Sequence, residues 1–322
     1  MKKTFKVLLA FTMVFALVLT GCGSKTEEAT GSDTLTGTYT ANVTGYDWGC
    51  GVDKITITFD NAVDAVSAET FTVVENKEAT DWTDPEFKAK PTEFPRTVTA
   101  AYTSDAQGNK TEGASTYVTL ELYCSPSEGS PFNYSMADGN VWCDPYELHV
   151  AVAEGQTLTS GGTAVTTLEV NPVMTSKTTS AYPFQVASFT ATDGTTMNYG
   201  YYTKEGSDAL FVWLHGGGEG ARTERTDVPV AVLANKVTAL LGDEFQNTTG
   251  GMSVLAPHCP DYWMHTKTTE DYTQADKDSI YTEALHELIA SYAQECGASK
   301  IVISGCSNGG YMTMVLAMKV GK

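Results

Sequence analysis

The sequence predicts two architectures in one chain: an N-terminal all-β antiparallel sandwich over residues 38–182, then alternating strands and helices with a mostly parallel sheet over 183–322. Three observations carry this. Before residue 182, period-two alternation recurs: Ile55, Ile57 and Phe59 alternate with Thr56 and Thr58, Val118, Leu120 and Leu122 with Thr119 and Glu121, and Leu148, Val150 and Val152 repeat the pattern. After residue 187 the pattern changes to short apolar runs, Ala209–Leu214, Met252–Pro257 and Ile301–Ser304, separated by stretches of helical spacing, as right-handed βαβ units require. The last run leads straight into Gly305-Cys306-Ser307-Asn308-Gly309, a serine on a sharp strand-to-helix turn.

At the N-terminus, Lys2, Lys3 and Lys6 precede an apolar run, Val7 to Leu19, that is too short for a comfortable membrane span. It closes on Leu19-Thr20-Gly21-Cys22, which resembles a bacterial lipobox. The resemblance implies a signal peptide over 1–21, acylation of Cys22, and a membrane-anchored protein facing the extracellular side or the periplasm. Residues 22–37, rich in Thr, Ser, Gly and Glu, read as a flexible tether. The chain carries a formal charge of −19, and without the leader 17 basic residues face 39 acidic ones, a charge of −22. Such a balance excludes nucleic acid and anionic lipid as partners held by charge, so a membrane must be held through the lipid.

Within the sandwich, Phe71 with Val73 and Val98 with Ala100 add shorter strands, Asp105 to Asn109 is a turn, and Ser125 to Pro131 a loop. Trp48, Trp82, Phe132, Tyr134 and Trp142 read as core aromatics, with a carbohydrate-stacking platform as the alternative. Thr, Ser and Pro cluster from Met174 to Ala187, which marks the domain boundary.

Phe189 to Tyr202, turning at Asp193-Gly194, predicts a hairpin. Val230, Leu233, Val237, Leu240 and Leu241 give a helical apolar stripe, and Tyr281, Leu285, Leu288, Ile289 and Tyr292 a second one that Gly297 caps. The run before Ser307 reads as a buried strand, and Tyr311 to Lys319 as a helix.

A serine on a strained turn needs neighbours without side chains, which is the physical reason for Gly305 and Gly309. A second element matches it. The strand Ala209–Leu214 runs into His215-Gly216-Gly217-Gly218-Glu219-Gly220, a glycine-rich loop whose backbone N–H groups are free to face a developing oxyanion. Loop, Ala256-Pro257-His258-Cys259-Pro260 and turn together resemble the α/β-hydrolase superfamily, most narrowly the esterases related to polyhydroxybutyrate depolymerases and prolyl-oligopeptidase-type hydrolases. The likeness covers roughly Ala187 to Lys322. Some such secreted esterases carry an immunoglobulin-like domain ahead of the hydrolase, and residues 38–182 look similar to that domain.

The resemblance implies that Ser307 is the nucleophile and that the N–H groups of Asn308 and of Gly217 or Gly218 form the oxyanion hole. In the family an acid and then a histidine follow the serine on later strands. No histidine follows Ser307 here, so those roles map onto nothing, and the 322-residue chain reads as a fragment, inactive by itself, of a longer enzyme. Among the upstream histidines, His215 belongs to the glycine loop, His286 reads as a solvated helix residue, and His258 and His265 lie where they could form pocket wall. The cysteine and histidine spacing gives no metal site, and no cofactor is expected. The resulting expectation is a lipid-anchored serine hydrolase of carboxylic esters, small or polymeric. The alternatives are a serine peptidase of prolyl-oligopeptidase type and a non-enzymatic surface-binding lipoprotein with a degenerate hydrolase half.

Overall fold

The computed structural model describes residues 32–267 and 278–319. The leader, Cys22 and most of the tether lie outside the described residues; β1 begins at Thr34, within the stretch read as tether. In chain order the strands are β1 (Thr34–Tyr46), β2 (Gly49–Val63), β3 (Phe71–Thr80), β4 (Ala89–Arg96), β5 (Val98–Ser104), β6 (Ser115–Leu122), β7 (Phe132–Ser135), β8 (Gly139–Trp142), β9 (Tyr146–Val152), β10 (Thr159–Ser160), β11 (Thr163–Ala164), β12 (Thr167–Val170) and β13 (Ser176–Thr179). The second half adds β14 (Gln185–Thr190), β15 (Thr196–Tyr202), β16 (Ala209–Leu214), β17 (Ser253–His258) and β18 (Lys300–Gly305), with helices α1 (Val228–Leu233), α2 (Asp243–Thr249), α3 (Thr282–Cys296) and α4 (Asn308–Lys319).

The first half is a sandwich. One sheet runs β12-β1-β2-β6-β5, with β13 also pairing β1, and the facing sheet runs β4-β3-β9. Its core is made by the inward residues of the alternating strands: Ile55, Ile57 and Phe59 of β2 and Val118 and Leu120 of β6 meet Phe71, Val73, Leu148 and Val150 of β3 and β9. Each expected strand is present. In the segment 174–187, read as the domain boundary, β13 pairs parallel with β1 and β14 opens the next sheet.

Trp48 and Trp82 differ too. They are 36% and 69% exposed rather than core, because they sit on turns outside the period-two strands, where no pleat directs a side chain inward.

The second sheet runs β14-β15-β17-β16-β18. The β14–β15 hairpin and the β15–β17 pair are antiparallel, while β16 pairs parallel with both β17 and β18. All six residues of β17 are buried, as a central strand covered on both faces requires. Its side chains divide between two apolar clusters. Leu255 joins Leu210, Val212 and Leu214 under α3 and α4, through Leu285, Leu288, Met312 and Val315. Val254 and Ala256 join Val228, Val232 and Leu233 of α1, in a cluster continuous with the sandwich core. At this seam a Cβ on Gly45 would lie 3.0 Å from the carbonyl oxygen of Leu233.

The stripe from Val230 to Leu241 does not form one helix. Asp227 caps α1 by accepting the Val230 N–H, the chain reverses at Lys236 with φ +47°, and Val237–Leu241 continues as a 3₁₀ turn. Among the described residues β18 is an edge strand, and Ile301 and Val302 on it are exposed.

Candidate functional site

Ser307 stands between β18 and α4 with φ +50°, the left-handed region that costs a non-glycine residue about 1–2 kcal/mol. The side chain is exposed. Both flanking glycines are sterically required. A Cβ on Gly305 would lie 2.4 Å from the carbonyl carbon of Gly309, and one on Gly309 would lie 2.0 Å from the Leu214 carbonyl oxygen.

The glycine loop lies against this turn. A Cβ on Gly216 would sit 3.8 Å from Ser307 Cβ, and one on Gly217 would sit 3.6 Å from Asn308 Cβ. Asn308 opens α4, so its N–H falls outside the helix ladder, and Gly217–Glu219 forms a single 3₁₀ turn. Ser307, Asn308, Gly217 and Gly218 therefore share one cavity of about 490 Å³, with Arg222, Met264, Tyr134 and Met136 as its other walls.

His215 holds the loop. The Cys259 N–H donates to its Nε2 at 3.0 Å, so Nδ1 carries the proton and donates to the Gly216 carbonyl at 2.7 Å. Full burial lowers its pKa to about 3, which keeps the ring neutral, and its one lone pair is already engaged. The buried Trp263 ties loop and turn together: its indole N–H donates to the His215 carbonyl at 3.1 Å and its backbone N–H to Asn308 Oδ1 at 2.6 Å.

His258 is buried behind the loop, donating from Nε2 to the Glu219 carbonyl at 2.8 Å, while Nδ1 finds no hydrogen-bond partner among the described residues. His265 Nδ1 pairs with Asp261 Oδ2 at 2.5 Å. Neither ring lines the Ser307 cavity, although Met264, next to His265, does. His286 is exposed on α3, and His149 lies on β9. The structure thus gathers Ser307, Asn308, Gly216, Gly217 and Gly218, and places none of the five histidines on the cavity wall.

Sequence reasoning passed over the residues that brace the loop. Glu219 is buried, and desolvation holds its carboxyl above the usual range, opposed by a hydrogen bond from Asn140 and a backbone bond from Gly216. Asn140 Nδ2 donates to Glu219 Oε1 at 2.8 Å. Arg222 donates to the Gly217 carbonyl at 2.5 Å and to the Met136 carbonyl at 3.1 Å. Gly139, at φ +73°, lets the β7–β8 hairpin approach so closely that a Cβ there would lie 2.3 Å from the Gly218 carbonyl oxygen. The sandwich therefore reaches the site through this hairpin. A carboxylate and an arginine among so many glycines, Gly216 to Arg222, were the available signal.

The sandwich is the decisive feature for identity, because the model of the esterase Ig-like N-terminal domain matches residues 38–198. The chain belongs to the esterase Ig-like N-terminal domain family. This family places it among esterase-type hydrolases. A thermostable esterase of known structure shares the fold, with TM-score 0.63 and 20% identity over 88% of this chain and 74% of its own. Weaker likenesses are the esterase Est22 (TM-score 0.27, 17% identity, 43% of this chain and 39% of that one) and puromycin hydrolase (TM-score 0.31, 20% identity, 62% and 30%). No curated protein matches the chain.

The buried histidines make stability depend on pH. His215 and His258 have folded pKa values below the ordinary 6.5, so their contribution is complete above that value and is lost as pH falls toward their folded pKa values, about 3 for His215. Glu219 acts with the opposite sign, losing stability as pH rises through its raised pKa. Urea unfolding at stepped pH should show stability dropping between pH ~6.5 and ~4.5, above the range where the carboxylates with lowered pKa values titrate. His215→Gln should flatten that slope; an unchanged slope would contradict the assignment.

Proposed function

We propose that the protein is a serine hydrolase of carboxylic esters in which Ser307 attacks the acyl carbon and the N–H groups of Asn308 and of Gly217 or Gly218 receive the oxyanion. The observation that carries this is the exposed Ser307 at φ +50°, sharing one cavity with the glycine loop. Met136, Met264 and Tyr134 give that cavity an apolar side suited to a short acyl group, and the family supports an ester over other acyl substrates. Arg222 and Glu219 act on loop position rather than on the reacting atoms.

Among the described residues no imidazole lines the cavity, so the test supplies the base from solution. The test is covalent. Incubated with p-nitrophenyl acetate and added imidazole, the protein should acquire an acetyl group on Ser307, read by peptide mass spectrometry. Acetylation confined to lysines and tyrosines, with none on Ser307, removes the proposal.

The reading also includes a membrane anchor at Cys22, supported by Leu19-Thr20-Gly21-Cys22. In a bacterial host the protein should partition with membranes, and Cys22→Ala should release it or block its processing; equal partition of both forms would refute the anchor.

A further inference from the structure

A second and larger cavity, about 690 Å³, lies between the sandwich loops and the glycine loop. Trp48, Trp82, Asn133, Tyr134, Asn140 and Asn235 are among its walls. Its volume is that of a site for a small organic ligand. We propose that this cleft binds a neutral saccharide, the sugar portion of the ester whose acyl carbon reaches Ser307. The proposal rests on the reading of Ser307 as an ester nucleophile and adds the substrate class.

Continuity comes first. Tyr134 lines both cavities. Its ring edge would lie 3.6 Å from a Cβ on Gly218, and the same ring stacks on Trp82 at 5.9 Å with an interplanar angle of 10°. One aromatic residue therefore joins the wall beside the oxyanion loop to the outer cleft.

The aromatic surface comes second. Trp82 is held on the β3–β4 loop with most of its surface in water, and Trp48 is stacked on Tyr46 at 5.0 Å and 3° with a third of its surface exposed. Exposed tryptophans held flat at the rim of a cleft offer the apolar face on which the C–H side of a sugar ring packs, leaving the hydroxyls to the edge.

The polar lining decides the chemistry. Asn133, Asn140 and Asn235 present amides, groups that both donate and accept, as hydroxyls do. Asn133 Oδ1 accepts from Thr80 Oγ1 and from the Tyr134 N–H, which leaves its NH₂ group for a ligand. An alkyl chain in this cleft would cover the Asn133 NH₂ group without giving it a partner. An anionic ligand fares worse. Asp47, Glu128 and Glu219 line the cleft, and its Lys77 is already committed to Glu75 at 2.6 Å, in a chain of charge −19. A neutral polyol satisfies both constraints.

The experiment uses the full chain carrying Ser307→Ala, so that binding is read without chemistry. Tryptophan fluorescence and saturation-transfer NMR are recorded with short neutral oligosaccharides (xylo-, cello-, manno- and chito-series) and with anionic oligogalacturonides. At least one neutral series should bind, and Trp82→Ala should weaken it by about tenfold, the weight of one ring contact, with no change in thermal midpoint. Asn235→Ala should weaken it as well. No neutral saccharide binding, tighter binding of the anionic series, or binding indifferent to Trp82→Ala each overturns the proposal. Acetylation of Ser307 by p-nitrophenyl acetate, too small to need the cleft, is measured in parallel on the chain with Ser307 intact. Loss of saccharide binding with that acetylation intact refutes the cleft alone, and saccharide binding without acetylation refutes the hydrolase reading alone.

Discussion

Residues 22–322 should turn over short acyl esters no faster than their Ser307→Ala variant, and a fluorophosphonate probe should leave Ser307 unlabelled. A protonated hydroxyl is a weak nucleophile, and loss of the histidine base from a serine hydrolase site costs on the order of 10⁶ in kcat, the value measured in subtilisin. Each of the five histidines is accounted for. His215 is neutral with its lone pair engaged, His258 is held behind the loop, His265 is paired with Asp261 off the cavity wall, and His149 and His286 lie on other surfaces. Added imidazole should therefore separate wild type from Ser307→Ala, because it supplies the base without altering the elbow. Robust Ser307-dependent turnover without imidazole would overturn this. It would direct attention to His265, whose Nδ1 already has a carboxylate partner, as in an acid–histidine pair.

The parts of the fold that were legible in the sequence are those where local pattern and tertiary burial agree. β9 alternates cleanly between buried and more exposed residues, whereas in β2 and β6 the apolar Ile55, Ile57, Val118 and Leu120 join the core and Thr56 and Thr119 between them are buried too, hydrogen-bonded to each other. The elbow was legible because Gly305 and Gly309 answer to a steric demand made within a few residues and by the neighbouring strand end.

What escaped is non-local. The break at Lys236 leaves no trace in the spacing of Val230, Leu233 and Val237, because it arises where the chain folds against the sandwich at Gly45. The hairpin of Tyr134, Met136 and Asn140 could not be assigned to the Ser307 site from sequence. Some 170 residues separate Tyr134 from Ser307, and only the packing of the sandwich on the glycine loop joins them. The exposed Trp82 misled in the same way: composition marks a tryptophan as core unless the backbone beneath it is known to be a turn.

Gly309→Ala should be among the most destabilising single changes in the second half, whereas Gly310→Ala, one residue on, should be mild. At Gly309 the new methyl would lie 2.0 Å from the Leu214 carbonyl oxygen and 2.5 Å from that of His215. Both are backbone atoms at the end of a central strand, so no rotamer relieves the clash and α4 must lift away from β16. Such forced overpacking should cost about 3 kcal/mol or more, a fall in thermal midpoint of roughly 6–12 °C. It should also misplace Ser307 and Asn308 against Gly217, abolishing imidazole-dependent acetylation. At Gly310 the nearest atom is the Gly305 carbonyl oxygen at 3.4 Å, and the residue lies in α4 without a positive φ. There alanine meets an ordinary contact and gains helix propensity, for a change between about zero and +1 kcal/mol of stability. Thermal and urea unfolding of the two variants side by side decide the matter. Equal, small effects would mean that the turn carrying Ser307 is not braced against β16, and the strained elbow would go with it.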